Sequence, residues 1–294
     1  MARSTNKDVG ILDIPELEVG KAEVFLLGTQ PLIFNRMALK ARQQLLFPSS
    51  PKTRAEKEAT MKHDPISEFR DSVSRRRPGD DGPTRLVFPS PAIKGAMATA
   101  CLDLPGTTKA RINRLTWVSG QSIPIWGRPE LFMSVVRNSD PGRTPDVRTR
   151  AALPRWCTKV TLQFVSTLIK PKVIASLVGA SGIIVGIGDF RQEKGKGNYG
   201  TFEVVSEDDP RLAAIMKEGT KVQDEALENP AFFDADSEDL FTWFEQEKIT
   251  RGVQRQERAA AKEQKEAAKL VAAEAKQASA SKRRSRSNGP TANA

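Results

Sequence analysis

One segment decides the fold: Thr158-Lys-Val-Thr-Leu-Gln-Phe-Val165, followed by Pro171–Ala180 and Gly182. The first piece is rich in β-branched and aromatic residues and predicts a strand. The second piece has the apolar spacing of a helix, which we expect Gly182 to end. Further strands are predicted at Ile183–Ile187 and Thr201–Val205, on either side of a glycine-rich loop. This half of the chain therefore predicts strands that flank one helix.

Working outward towards the N-terminus, the sequence predicts two more helices and three more strands. Asn35 is a suitable N-cap for a helix over 36–46, and Ser90-Pro91 is a typical helix opening. Gly127-Arg128-Pro129 lies between two apolar runs, which favours a hairpin. The predicted strands of this half are Lys21–Leu27, Ser122–Trp126 and Glu130–Val136.

The order strand, helix, hairpin, strand, helix and strand predicts an α+β fold. We expect an elaborated ferredoxin-like (RRM-like) antiparallel sheet with helices on one face, long insertions, and a C-terminal helical and disordered tail. The expected organisation is an arm (1–20), a core (21–206) with insertions at 48–85 and 137–156, an acidic-aromatic helical segment (207–248), and a basic Ala-rich helix with a disordered tail (249–294).

The charge of the chain points to an anionic partner. It carries 46 Lys and Arg against 36 Asp and Glu, a net charge of +10, although residues 223–248 are acidic. A basic body attracts polyanions over long distances, and nucleic acid is the commonest of them. The alternative is a generally basic protein without such a partner.

The scarcity of His and Cys argues against most familiar enzymes. One His and two Cys cannot supply the four ligands of a structural zinc site. We expect His63 to be a solvated loop residue and Cys101 and Cys157 to be buried packing residues. No metal, cofactor or catalytic residue is expected; an enzyme would have to hold a metal through carboxylates such as Asp71, Asp103 or Asp189. The sequence has no apolar run long enough for a membrane span and no apolar signal core, so we expect a cytoplasmic protein without membrane contact.

The loop Gly186–Gly200 is a candidate nucleic-acid-binding element. It contains a literal G-x-G-x-x-G, but a strand follows instead of a helix, which excludes a dinucleotide fingerprint. Glycines let backbone N–H groups approach phosphate, cations supply charge, and aromatic rings stack on bases. The alternative is a structural turn with incidental charge. The candidate residues are Phe190, Arg191, Lys194, Lys196 and Tyr199.

A second basic segment, Arg137–Trp156, is broken by prolines and is expected to be an arginine-rich loop. Arginine favours bidentate phosphate contacts, so this loop suits an insertion that grips nucleic acid. The alternative is a solvated loop with local ion pairs. The candidate residues here are Arg143, Arg148, Arg150 and Arg155.

Three motifs resemble the RAMP superfamily, the RNA-binding subunits of CRISPR effector complexes. They are Phe88-Pro-Ser-Pro-Ala-Ile-Lys-Gly-Ala-Met97, the loop Gly186–Gly200, and the strand leading to Gly28-Thr-Gln-Pro-Leu-Ile-Phe-Asn-Arg36. The resemblance implies a subunit that polymerises along RNA or single-stranded DNA. It implies that Lys94 lies near the nucleic-acid backbone, that the loop cations line a groove, and that the arginine-rich insertion acts as a thumb. Uncharacterised phage-borne proteins have similar motifs, so a viral relative is an alternative.

Taken together, the sequence predicts a non-enzymatic protein that binds single-stranded nucleic acid, RNA in preference to DNA, as a homo-oligomer or filament. One alternative is a phage recombination or replication accessory that anneals single-stranded DNA. Another is an assembly protein without nucleic acid, in which the acidic-aromatic segment docks on the basic body of a neighbouring copy.

Overall fold

The computed structural model describes residues 16–46, 62–77, 79–137, 142, 145–194 and 197–252. The chain divides into two compact units, Met1–Glu238 and Asp239–Ala294. This boundary falls inside the predicted acidic segment. Most of the predicted N-terminal arm (1–15) and of the basic tail (253–294) lies outside the described residues.

The first unit is a mixed α+β structure with antiparallel sheets. Its strands are β1 (Val19–Gly28), β2 (Leu32–Ile33), β3 (Ser74–Arg75), β4 (Leu86–Pro89), β5 (Thr116–Val118), β6 (Ser122–Pro124), β7 (Glu130–Arg137), β8 (Pro145–Leu153), β9 (Cys157–Val165) and β10 (Phe202–Val205). Its helices are α1 (Leu39–Leu46), α2 (Pro65–Ser72), α3 (Pro91–Ala100), α4 (Lys109–Leu115), α5 (Pro171–Ile184), α6 (Pro210–Met216) and α7 (Gly219–Glu228). Residues 235–252 are also helical.

The central sheet has the strand order β10-β1-β9-β5, and every neighbouring pair is antiparallel. On β1, Phe25 pairs with Lys159 on one side and with Val205 on the other. The predicted strands at 21–27, 158–165 and 201–205 are therefore present. The remaining strand, β5, was not predicted from the sequence.

Helices α3 and α5 cover one face of the central sheet. Leu26, Val160 and Leu162 point towards them and are buried, as is Ile174 of α5. The prediction that Gly182 ends α5, with a strand at 183–187, is wrong because the helix continues to Ile184. A Cβ at Gly182 would lie 2.1 Å from the carbonyl oxygen of Phe202, so glycine permits close packing of α5 on β10.

The opposite face of the central sheet is partly covered by α6. Leu212 and Ile215 of this helix pack against Phe25 and Leu27 of β1. The neighbouring part of the face is polar: Lys159 Nζ lies 3.0 Å from a carboxylate oxygen of Glu23. Only part of this face is therefore open to solvent.

A second sheet has the order β2-β8-β7. β7 and β8 pair along their length, from Glu130 with Ala152 to Arg137 with Pro145. The prediction of an irregular loop over 137–156 is wrong, because residues 145–153 form β8. Pro145 is the first residue of this strand, a position at which proline is tolerated. Residues 231–233 extend the sheet alongside Leu131.

The third sheet, β3-β4-β6, contradicts the predicted hairpin of 122–126 with 130–136. β6 pairs with β4, and Gly127 (φ +131°) then directs the chain into β7 of the second sheet. The predicted insertion 48–85 contributes α2 and β3 to the fold, and Phe69 of α2 is fully buried. This insertion is thus partly built into the core.

Two of the predicted helix caps act differently. The first helix begins at Leu39, whose N–H donates to the Asp71 carboxylate at 2.7 Å, so Asn35 is not its cap. Ser90 does precede α3, but its hydroxyl donates to the Gly120 carbonyl at 2.6 Å and caps no helix N–H. In the described part of the chain, no helix combines the length and the apolar character needed to cross a bilayer.

Candidate functional site

A cavity of about 390 Å³ lies between β8, the segment after β2 and the start of α2. On β8, Asp146, Arg148 and Arg150 are two residues apart, so their side chains share one face of the strand. We call this site the arginine groove and define it by Arg36, His63, Glu68, Asp146, Arg148 and Arg150.

Arg150 joins the groove to the glycine-rich loop. Its guanidinium forms an ion pair with Asp189 of the loop and donates to the Phe34 carbonyl at 3.4 Å. Burial lowers the pKa of Arg150, an effect that the charge of Asp189 only partly offsets. Arginine nevertheless stays protonated at neutral pH, so this is a charged pair held in a poorly solvated place.

Arg36 lines the groove from the segment after β2. Its main-chain N–H donates to the Ser72 carbonyl at 3.0 Å, and its Nη1 donates to the Val73 carbonyl at 3.2 Å. Burial, with Arg42 nearby, lowers the pKa of Arg36. These contacts with neutral carbonyls hold the guanidinium in place without neutralising its charge.

His63 lies between two carboxylates at the other end of the groove. Its Nδ1 is 3.0 Å from Glu68 and its Nε2 is 3.1 Å from Asp146, so neither ring nitrogen is available as a general base. Burial acts to raise the pKa of Asp146, but hydrogen bonds from Lys62 and His63 outweigh it and lower the pKa. His63 lies outside helices and strands, as predicted, but its side chain is only 24% exposed and is less solvated than expected.

The glycine-rich loop is anchored to the second sheet. Asp189 N–H donates to the Ile33 carbonyl at 2.9 Å, and Gly200 N–H donates to the Pro31 carbonyl at 2.8 Å. Gly200 has φ +75°, and a Cβ there would lie 1.7 Å from the Ile187 carbonyl oxygen. Gly200 is therefore required by the close packing of the loop on itself.

The two predicted stacking residues are packed inside this structure. The Phe190 and Tyr199 rings pack edge to face, with 6.4 Å between their centroids. The Tyr199 and Phe132 ring centroids are 6.3 Å apart. Both are partly buried against a cluster that contains Ile33. Phe190 has φ +51°, which is uncommon for a residue other than glycine.

Arg191 is also held by the loop. Its guanidinium pairs with Glu193 at 2.9 Å, and among the described residues its buried Nε has no hydrogen-bond partner. The two predicted basic segments therefore lie next to the same sheet. Their residues there are Arg148, Arg150, Phe190, Arg191 and Tyr199.

The other predicted site residues lie elsewhere. Lys94 is on α3, which packs chiefly against α4, α5 and β5. Arg155 is exposed, 3.7 Å from Glu218, and lines a cavity with Arg211. Arg143, Lys196 and the side chain of Lys194 lie outside the described residues.

Sequence reasoning did not assign Arg36, His63, Glu68 and Asp146 to the site. Arg36 is the last residue of the motif Gly28–Arg36, on which the family resemblance rests in part. This motif is the one sequence signal that could have identified Arg36 as a site residue. In the described ranges no group of three or more His, Cys, Asp or Glu is placed to hold a metal ion. No protein-family model matches the sequence, and no curated protein matches it either.

Proposed function

We propose that this chain is a non-enzymatic protein that binds single-stranded nucleic acid, RNA in preference to DNA, along the arginine groove. The carrying observation is that Arg36, Arg148 and Arg150 line one groove although they come from distant parts of the sequence. Planar guanidiniums are suited to bidentate phosphate contacts, and successive phosphates of a strand need several of them.

The topology of the central sheet supports a ferredoxin-like core. In chain order its strands are β1, β5, β9 and β10, so the spatial order is fourth, first, third, second. α3 and α4 follow the first strand and α5 follows the third. This order supports assignment to the split β-α-β arrangement used by many nucleic-acid-binding modules, which the resemblance to the RAMP superfamily implies.

The arginine groove is a better candidate than the open face of the central sheet for binding the nucleic-acid strand. RRM-type modules stack bases on the sheet face opposite the helices. Here α6 covers the Phe25 and Leu27 end of that face. The net charge of +10 also favours binding to nucleic acid. The proposal includes assembly into a homo-oligomer or filament, because cooperative binding along a nucleic-acid strand requires contacts between copies.

The test is fluorescence anisotropy with a short labelled RNA and the DNA of the same sequence. We expect Arg36→Ala/Arg148→Ala to weaken RNA binding about tenfold or more at moderate salt, because two phosphate contacts are lost. The slope of log affinity against log salt should fall by about 1.4, at about 0.7 per contact for a single strand.

The matched control is Arg111→Ala/Arg114→Ala, which removes the same charge from exposed positions of α4. Its affinity should change less than about threefold if position and not total charge matters. Equal losses in both variants, or none in the groove variant, would contradict the proposal. Thermal unfolding checks that both variants fold.

A further inference from the structure

A second arginine cluster lies at the C-terminal end of α2. Arg70, Arg75, Arg76 and Arg85 line a cavity of about 890 Å³ together with Asp224 and Glu228 of α7. We call it the four-arginine cavity. Its walls are α2, the β3–β4 pair and the C-terminal end of α7.

The cavity is built on a buried amide. Gln223 is 1% exposed, and its Oε1 accepts from the N–H groups of Arg85 and Leu86, both at 2.9 Å. Its Nε2 donates to the carbonyls of Ile125 and Gly127. These four bonds fix α7 against the third sheet, so the walls of the cavity are held in a defined position.

Three of the four guanidiniums bond to neutral main-chain carbonyls. Arg70 donates to the carbonyls of Leu227 and Glu228 at 2.9 and 3.0 Å, which also caps the C-terminus of α7. Arg75 donates to the carbonyl of Arg70 at 3.1 Å, and Arg76 donates to that of Thr84 at 3.2 Å. These bonds orient the guanidiniums but leave their positive charges uncompensated.

Among the described residues, Arg85 is the one arginine of this cluster with a carboxylate partner. It makes a two-pronged contact with Asp224, at 2.8 and 3.2 Å, and Glu228 is the other acidic residue that lines the cavity. Four cations therefore face two carboxylates. A guanidinium has five N–H donors, so each of these side chains keeps donors beyond the bonds described.

We infer that the four-arginine cavity binds a terminal phosphate, either of a small ligand or at the end of a nucleic-acid strand. The volume of the cavity suits a ligand of the size of a mononucleotide. Ligand pockets of about 300–1,000 Å³ suit small molecules, and a phosphate dianion takes several guanidinium forks at once. Arg75 and Arg76 supply the recognition, while Arg85 is shared between the ligand and Asp224. The inference does not rest on the proposed function, although the charge of Arg75 is felt at Arg36 of the groove.

Isothermal titration calorimetry of the full chain tests the site with inorganic phosphate, AMP and uncharged adenosine. We expect AMP to bind, adenosine not to bind, and Arg75→Ala/Arg76→Ala to weaken AMP binding at least about tenfold. The control variant Arg111→Ala/Arg114→Ala should leave the AMP affinity within about twofold of the wild type. Equal affinity for AMP and adenosine, or an unchanged affinity in the cavity variant, would overturn the inference.

Asp224→Asn provides a test in the opposite direction, which a misfolded variant cannot imitate. It removes the carboxylate that competes for Arg85, so AMP should bind about threefold to tenfold more tightly. Weaker or unchanged binding would contradict the role given to this pair.

The source of the phosphate is distinguished by a 5′-phosphorylated oligonucleotide and its 5′-hydroxyl counterpart. A preference for the phosphorylated strand that is lost in Arg75→Ala/Arg76→Ala assigns the cavity to strand ends. AMP binding without that preference assigns it to free nucleotides. If neither AMP nor the 5′-phosphate is recognised, the inference fails, whereas loss of groove binding alone affects only the proposed function.

Discussion

The arginine groove and the four-arginine cavity place similar side chains in different electrostatic surroundings. In the groove, Arg150 pairs with Asp189 in a poorly solvated place, and His63 lies between two carboxylates. In the cavity, three of the four guanidiniums bond to neutral carbonyls. The comparison teaches that the partner of each arginine, more than the number of arginines, decides how much positive charge a surface offers to a ligand.

The pKa shifts express the same contrast. Burial lowers the pKa of Arg150 in the groove. Hydrogen bonding to Asp224 raises the pKa of Arg85, which lies in a better-solvated place. Both side chains stay charged, but the surroundings of Arg150 oppose its charge and depend on Asp189 to compensate it.

The largest expected effect comes from breaking the wall of the cavity. Gln223→Leu leaves two N–H groups and two carbonyls without their buried partner, so we expect a loss of about 3 kcal/mol in the free energy of unfolding. Urea unfolding measures it, and Gln192→Leu at an exposed position is the control. AMP binding should fall while RNA binding at the groove persists; loss of both would show that the two sites are not separable.

The second effect separates the two ion pairs directly. Asp189→Asn leaves the charge of Arg150 without its carboxylate, and we expect a loss of about 2 kcal/mol in unfolding free energy. Asp224→Asn removes a partner that is 43% exposed, and should cost less than about 0.5 kcal/mol. Equal costs in urea unfolding would remove the distinction between the groove and the cavity.

The smallest effect concerns Asp146, whose lowered pKa ties stability to acid. A carboxyl with a lowered pKa in the folded state stabilises the protein above its unfolded pKa of about 4, and loses this contribution as pH falls through the folded value. Asp146→Asn should therefore be less stable than the wild type by about 1 kcal/mol at pH 6. This gap should narrow in urea unfolding as the pH falls from 6 through the pKa of Asp146 in the folded state, and a gap that widened in acid would contradict the pairing.

The sequence predicted the strands and helices that have strong local patterns. β1, β9 and β10 and the helices α3 and α5 lie where periodicity and turn residues placed them, apart from the end of α5. Their apolar positions face a common core, so the local pattern and the tertiary packing agree.

Pairing between distant segments was harder to predict. The short strand Thr116–Val118 completes the central sheet through register with Phe164–Leu162, which no local pattern indicates. The apolar runs on either side of Gly127 favoured a hairpin, but the structure places them in two different sheets. Strand partners are chosen by long-range packing, which propensity does not contain.

The site was predicted in part for the same reason. Arg148, Arg150 and the loop residues became candidates through composition, and the structure places Phe190, Arg191 and Tyr199 of the loop near the sheet that carries the two arginines. The cavity was missed because Arg70 and Arg85 gain meaning only when α7 folds onto them from more than a hundred residues away. A cluster assembled from distant segments leaves little trace in any one stretch of sequence.

The neutral hydrogen-bond partners in the four-arginine cavity have a consequence for regulation. Main-chain carbonyls do not ionise, and guanidinium groups remain protonated throughout the physiological range. A rise in pH through the physiological range would therefore not remove the positive charge of the cavity, as it can in a histidine-based site. Ionic strength and competing phosphate compounds are the signals to which such a cavity responds.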